Sequence, residues 1–185
     1  MTWCAAGNFM TKAPTATSDR ECQKCVAGMF TSSDNLPLCQ ACSSGQYQGK
    51  AGQAHCHQCV PGRFQSEGGA LHCVDCAAGH YQAQSGKAMC IQCAPGQSQH
   101  NTRSYFCSLC RPGQYQFQSG QLQCIQTAVC GAGMYTTKHP TLTSDRECRY
   151  CPMGKFTASE NMLSCHQCAP GRFQPEAGGF NASGA

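Results

Sequence analysis

Residues 17–25 read TSDRECQKC, and residues 143–151 read TSDRECRYC. Nine residues recur 126 positions apart, and only the pair between the two cysteines differs. Each copy ends in C-x-x-C. Such pairs fall at 22/25, 39/42, 56/59, 73/76, 90/93, 107/110, 148/151 and 165/168. Within each run the step is 17 residues. A fixed short period is the mark of a repeat architecture. Reading each unit from the second cysteine of a pair gives C-x-x-G-x-[FY]-x4-[GN]-x3-C.

Composition agrees with a covalent scaffold. The chain holds 19 cysteines in 185 residues, one Trp, eight Phe and six Tyr. Large apolar side chains are too sparse for one thick core, and disulfides replace it. The net charge of +4 comes without a block of like charge. That pattern excludes nucleic acid as an expected partner. No apolar run reaches the ~18 residues of a membrane helix. The start, MTWCAAGNFM, lacks the regions of a signal peptide, while the cysteines demand an oxidising compartment. The chain is expected to be a segment of a longer secreted or surface protein.

The first glycine of each unit is Gly28, Gly45, Gly62, Gly79, Gly96, Gly113, Gly154 and Gly171. Proline precedes it at VPGRF, APGQS, RPGQY and APGRF, which suits the centre of a type II turn. The aromatic is Phe30, Tyr47, Phe64, Tyr81, Tyr115, Phe156 and Phe173; Ser98 breaks the row, and Tyr105 or Phe106 is available to fill its place. The second special position holds Gly52, Gly69, Gly86, Gly120 and Gly178, or Asn35 and Asn161, and Arg103 breaks it. Gly and Asn share tolerance of the left-handed backbone region. Each unit therefore reads as turn, short extended segment, second turn and closing cysteine. No 3.6-residue period is present, so little or no helix is expected.

Two units are longer, Cys4 to Cys22 and Cys130 to Cys148, and both end in T-S-D-R-E-C. The duplicated nonapeptide thus marks a super-repeat. A first array spans 4–126, with long unit 4–22 and six short units. Residues 127–129 form a junction. A second, incomplete array spans 130–185, with long unit 130–148 followed by short units.

The irregular places bear on cysteine pairing. Cys4 has no C-x-x-C partner before it, and Thr127 stands where a cysteine should follow Cys124. If each unit closes on itself, the pairs are Cys4–Cys22, Cys25–Cys39, Cys42–Cys56, Cys59–Cys73, Cys76–Cys90, Cys93–Cys107, Cys110–Cys124, Cys130–Cys148 and Cys151–Cys165. Bonds inside each C-x-x-C would instead strand Cys4, Cys124 and Cys130. Cys168 is left over, because its partner position is Ala182. It is unpaired or forms an interchain bond. A closed loop of about 15 residues contributes roughly 3 kcal/mol, mainly through the unfolded state.

The unit C-x-x-G-x-[FY]…G…C-x-x-C resembles the cysteine-rich repeats of ephrin-receptor ectodomains. The longer MYTTKHPTLTSDREC unit resembles the first module of tumour-necrosis-factor-receptor cysteine-rich domains. The resemblance covers residues 4–179. It implies small disulfide-rich repeats stacked as an elongated ladder or solenoid, with short β segments and turns. It implies that each module touches only its neighbours, and it implies the within-unit pairing. The chain departs from those receptors in running one short unit six times at a fixed step, as long structural arrays do.

Other chemistry is weaker. C-x2-C-x13-C-x2-C approaches zinc-ribbon spacing, but the spacers are Gly/Gln/Ser-rich and lone cysteines spoil the tetrads. His55, His57 and His166 beside cysteines read as exposed, idle histidines. C-x-x-C redox chemistry lacks its βαβ context. No G-x-S-x-G and no pair of carboxylates points to catalysis, so no enzyme, metal or cofactor is expected. The Ser18–Glu21 and Ser144–Glu147 runs read as local turns with side-chain hydrogen bonds. Asn181 in NAS is a glycosylation acceptor candidate. Gln48, Gln65, Gln82, Gln99, Gln116 and Gln174 follow the aromatic position, and they are expected to line a polar solvent face or an assembly edge.

The expected function is a non-enzymatic extracellular structural protein. It is a rigid disulfide-laddered rod and a protomer of a surface filament or flagellar hair. A two-residue C-x-x-C link would set the angle between modules. The expected partners are further copies or other extracellular proteins, and glycans. The rival is a receptor ectodomain binding a protein ligand, or an adhesion or glycan-carrying stalk. Arg103, Tyr105 and Phe106, in the deviant unit, are the candidate special contact.

Overall fold

A computed structural model describes residues 2–179 and the backbone of 183–184. Among the described residues there is no helix, so none is long and apolar enough to cross a membrane. The strands form two-stranded antiparallel sheets, one per module. Contacts divide the chain into two compact units, Met1–Cys93 with Gln99–Cys107, and Ala94–Ser98 with Ser108–Ala185.

Each short module is a minimal hairpin. Its first strand carries the aromatic, as in Arg63–Phe64, and its second strand is the dipeptide inside C-x-x-C, Val74–Asp75. The dipeptide is therefore more than a link between modules: it completes the sheet. The same register recurs at Gln46–Tyr47 with His57–Gln58, His80–Tyr81 with Ile91–Gln92, and Gln114–Tyr115 with Ile125–Gln126. Two residues make a strand here because both ends are pinned. A turn precedes the first strand, and cysteines bracket the second, save that Thr127 follows Ile125–Gln126. In the long modules Asn8–Lys12 pairs with Glu21–Lys24, and Met134–Lys138 pairs with Glu147–Tyr150. Both carry a register shift, between Met10 and Lys12 and between Thr136 and Lys138.

Nine disulfides join the opening cysteine of each module to its closing one, from Cys4–Cys22 and Cys25–Cys39 to Cys130–Cys148 and Cys151–Cys165. The opening cysteines make the core. Cys25, Cys59, Cys76, Cys93, Cys130 and Cys151 are wholly buried. The aromatic of each described module is only half-buried or exposed. Cystine sulfur does what Leu and Phe do in thicker domains.

Pro-Gly takes the turn expected of it. The Arg63 N–H donates to the Val60 carbonyl at 3.1 Å around Pro61-Gly62, and Gly62 has φ 82°. This is a turn with φ > 0 at its third residue, which fits type II. Gly62 also meets a second demand. A Cβ there would lie 2.3 Å from the Arg103 carbonyl oxygen, two modules further on. Gly28 stands likewise against Gly69, and Gly45 against Gly86. The expectation that modules touch only their immediate neighbours is thus corrected. With no side chain at the first glycine, the backbone of module n reaches the second turn of module n + 2.

Candidate functional site

What recurs among the described residues is a seam between modules. Three backbone hydrogen bonds build it. The Gly28 N–H donates to the Gln48 carbonyl at 2.7 Å, and the Gly52 N–H donates to the Cys25 carbonyl at 2.8 Å. One module on, the Gln48 N–H donates to the Ala70 carbonyl at 3.0 Å. The set repeats as Gly45 to Gln65, Gly69 to Cys42 and Gln65 to Lys87, then as Gly62 to Gln82, Gly86 to Cys59 and Gln82 to Ser104. The second long module is stitched to its successor in the same way, by Gly133 to Thr157, Asn161 to Cys130 and Thr136 to Met162. Each opening cysteine of a short module also donates its N–H to the carbonyl of the preceding module's first glycine, as Cys42 does to Gly28. Thr127 keeps that bond, to Gly113 at 2.8 Å, although it has no sulfur.

The glutamine row corrects the sequence expectation. Gln48, Gln82, Gln99 and Gln116 are 2–5 % exposed, so they line neither a solvent face nor an assembly edge. Each clasps its own loop. Gln82 Nε2 donates to the Met89 carbonyl at 2.7 Å, and its Oε1 accepts the Gln84 N–H at 3.0 Å. Gln48, Gln65, Gln99 and Gln116 do the same seven and two residues on. A buried amide must satisfy both ends, and this loop offers one donor and one acceptor at the right reach. Where the preceding module is long, the position is threonine instead. Thr31 Oγ1 accepts the Gly7 N–H at 2.8 Å and donates to the Asn8 carbonyl at 3.1 Å. Thr157 does so with Gly133 and Met134. No sequence signal separated these polar residues from surface ones, because burial follows from the stacking.

The TSDRE runs lock the long modules. Asp19 accepts hydrogen bonds from the hydroxyl and N–H of Thr2 and from the Arg20 N–H. Those bonds, the Thr2 hydroxyl foremost, hold its carboxyl at about 2 rather than 3.8. In the second copy Asp145 accepts the N–H of Ala128 and of Arg146, both at 2.7 Å. Thr15 and Ser18 close a hydroxyl turn, as do Thr141 and Ser144. Lys12 meets Glu21 at 3.4 Å, and Lys138 meets Glu147 at 3.3 Å. Asn35 accepts the Cys4 N–H at 3.2 Å, and Asn161 accepts the Cys130 N–H at 3.0 Å. That side-chain bond explains why the modules following the long ones carry Asn rather than Gly.

In the deviant module Arg103 does not break the turn. It sits at φ 56° and donates its N–H to the Cys76 carbonyl at 2.8 Å, as glycine does elsewhere. Ser98 pairs across its hairpin with Ser108, where three other modules pair an aromatic with Val74, Ile91 or Ile125. Tyr105 and Phe106 do not replace the missing aromatic. They are 60 % and 49 % exposed, with ring centroids 5.1 Å apart. His55, His57 and His166 are exposed; His57 lies 5.6 Å from the Tyr47 ring and 5.2 Å from His55. Among the described residues no group of three His, Cys, Asp or Glu could hold a metal ion. Cys168 is the free cysteine among the described residues, and it is half-buried. Asn181 and the Ala182 partner position lie outside the described residues.

A family model for the tyrosine-protein kinase ephrin type A/B receptor-like region matches residues 28–72, 64–105 and 141–184, well over half of the chain. The chain belongs to this ephrin receptor-like family. The TNFR/NGFR cysteine-rich region model matches residues 110–148, which contain the second long module up to its closing cysteine. No individual curated protein matches the chain. The ephrin receptor-like matches cover most of the short modules with their glycine turns and aromatic hairpins, the Cys110–Cys124 module falls in the other match, and both families are cysteine-rich receptor modules. The protein is therefore a receptor-like array of disulfide-rich repeats.

Proposed function

We propose that this array is a non-enzymatic extracellular structural element, a rigid disulfide-laddered rod that serves as protomer of a surface filament or hair. Nine disulfides suit an oxidising setting outside the cell. One observation carries the mechanical role: the same three backbone bonds recur over successive modules from Cys25 onward and again after the second long module's Cys130. Repetition of one seam sets length and stiffness without any special side chain. In this view the arrays 4–126 and 130–185 are two runs of one building principle, joined at 127–129. Self-association or binding to other extracellular proteins supplies the partners. The test is electron microscopy of the native protein with and without reductant. Uniform filaments that fray on reduction support the rod. Short rods attached to membrane, with assembly indifferent to reductant, overturn it.

A second reading, a receptor ectodomain binding a protein ligand, draws support from the family and from Arg103, Tyr105 and Phe106. An exposed arginine beside two exposed aromatics has the composition of an interface hot spot. Double replacement Tyr105→Ala/Phe106→Ala separates the two readings. A receptor loses its ligand at cell surfaces, whereas a filament keeps its assembly.

A further inference from the structure

Trp3 is the single tryptophan of the chain, and 63 % of it is exposed. An exposed indole is ordinarily free to turn, but this one is held on two sides. Its Nε1–H donates to Asp34 Oδ2 at 2.6 Å. The Arg20 guanidinium lies over the ring, 5.4 Å from its centroid. Both holders are themselves fixed. Asp34 Oδ1 accepts the Ala6 N–H at 2.9 Å, and Arg20 donates to Asn35 Oδ1. With one face under Arg20 and an edge tied to Asp34, the exposure falls on the opposite face. The surroundings are polar: Thr2, Asp19, Asp34 and Asn35.

The second long module is an internal control. It keeps Asp145, Arg146 and Asn161, but Val129 stands in the place of Trp3 and Glu160 in that of Asp34. Its lock works without the indole, since Ala128 still bonds to Asp145 and Cys130 to Asn161. Closing the long module therefore does not require Trp3, which leaves the oriented ring without a structural task.

We propose that Trp3 is a carbohydrate-stacking site, taking a neutral pyranose of an extracellular glycan on its open face. The axial C–H bonds of such a ring are weakly positive and fit the negative face of an indole. The polar rim can exchange hydrogen bonds with the sugar hydroxyls. The Arg20 charge on the far face disfavours a cationic ligand, and the polar surroundings offer no apolar pocket for a protein side chain. The site is independent of the filament and receptor readings, because it needs only the first long module and its successor.

Since the chain has one tryptophan, its emission reports this site alone. The intact chain is titrated with trisaccharides of glucose, mannose and N-acetylglucosamine to about 10 mM, the range where a single stacking site of millimolar affinity saturates. A saturable emission change with at least one of them is expected. Saturation-transfer NMR should show the ring C–H protons of that sugar closest to the protein. Calorimetry with Trp3→Ala should lose the binding heat, and Trp3→Phe should weaken it. Non-reducing mass analysis of both variants checks that nine disulfides remain. No saturable change with any trisaccharide overturns the site, as does binding that survives in Trp3→Ala.

Discussion

Arg103 holds φ 56° in a turn where five other modules place glycine and two place asparagine. The left-handed region costs a side-chain-bearing residue roughly 1–2 kcal/mol, and Arg103 has no side-chain bond of the kind Asn35 makes. Arg103→Gly should therefore raise stability by about 1 kcal/mol, read as a shift in the denaturant midpoint. Gly62→Ala should do the reverse and cost more, since its Cβ would meet the Arg103 carbonyl at 2.3 Å. Gln82→Ala removes a buried clasp and leaves the Met89 carbonyl and the Gln84 N–H unpaired. A loss of about 1–3 kcal/mol is expected, with faster amide exchange at Gln84. Asp19 gives a pH signature. Its folded value of about 2 lies below 3.8, so the lock on Thr2 is complete above 3.8 and is lost as pH falls through about 2. The Thr2 amide shift followed by NMR should titrate there, and in Asp19→Asn it should not.

At the scale of the hairpin, two residues per strand suffice because the cross-strand pair sits between a fixed turn and a cystine. Phe64 stands opposite Val74, Tyr81 opposite Ile91 and Tyr115 opposite Ile125, whereas Phe30 faces Gln40, Tyr47 faces His57 and Phe156 faces His166; Ser98 opposite Ser108 has no aromatic member. An aromatic opposite a β-branched side chain is a stabilising cross-strand pair, and the Ser98–Ser108 pair has neither member. The double variant Ser98→Tyr/Ser108→Ile should gain about 0.2–1 kcal/mol over either single variant summed, by a double-mutant cycle. Thr127 shows which part of the closing pattern is backbone. It carries the bond to Gly113 that cysteines carry elsewhere, so that bond does not depend on sulfur.

At the scale of the molecule, stability is covalent first. Each loop of about 15 residues contributes roughly 3 kcal/mol through its disulfide, and the buried core is largely the opening cysteines. The protein should resist heat under oxidising conditions and lose its β signal on full reduction, measured by circular dichroism with and without reductant. Partial reduction should open Cys4–Cys22 before the others, because Cys22 is exposed whereas the other closing cysteines are half-buried or buried. Mass mapping of alkylated cysteines reads that order directly.

The period of 17 residues, the closing of each unit on itself, the Pro-Gly turns and the left-handed turn positions were all legible in the chain. Each depends on local chemistry: cysteine spacing, the fixed φ of proline, and the freedom of Gly and Asn. The burial of Gln82, the choice of Thr31 after a long module, and the approach of Gly62 to Arg103 were not legible. Those depend on what lies one or two modules away, and the side-chain types alone point the other way, since glutamine and threonine read as surface residues. The site at Trp3 has the same origin. Its neighbours in sequence say nothing, and only the fold brings Arg20 and Asp34 to it. Repetition determined the module, and stacking decided which polar groups became its interior.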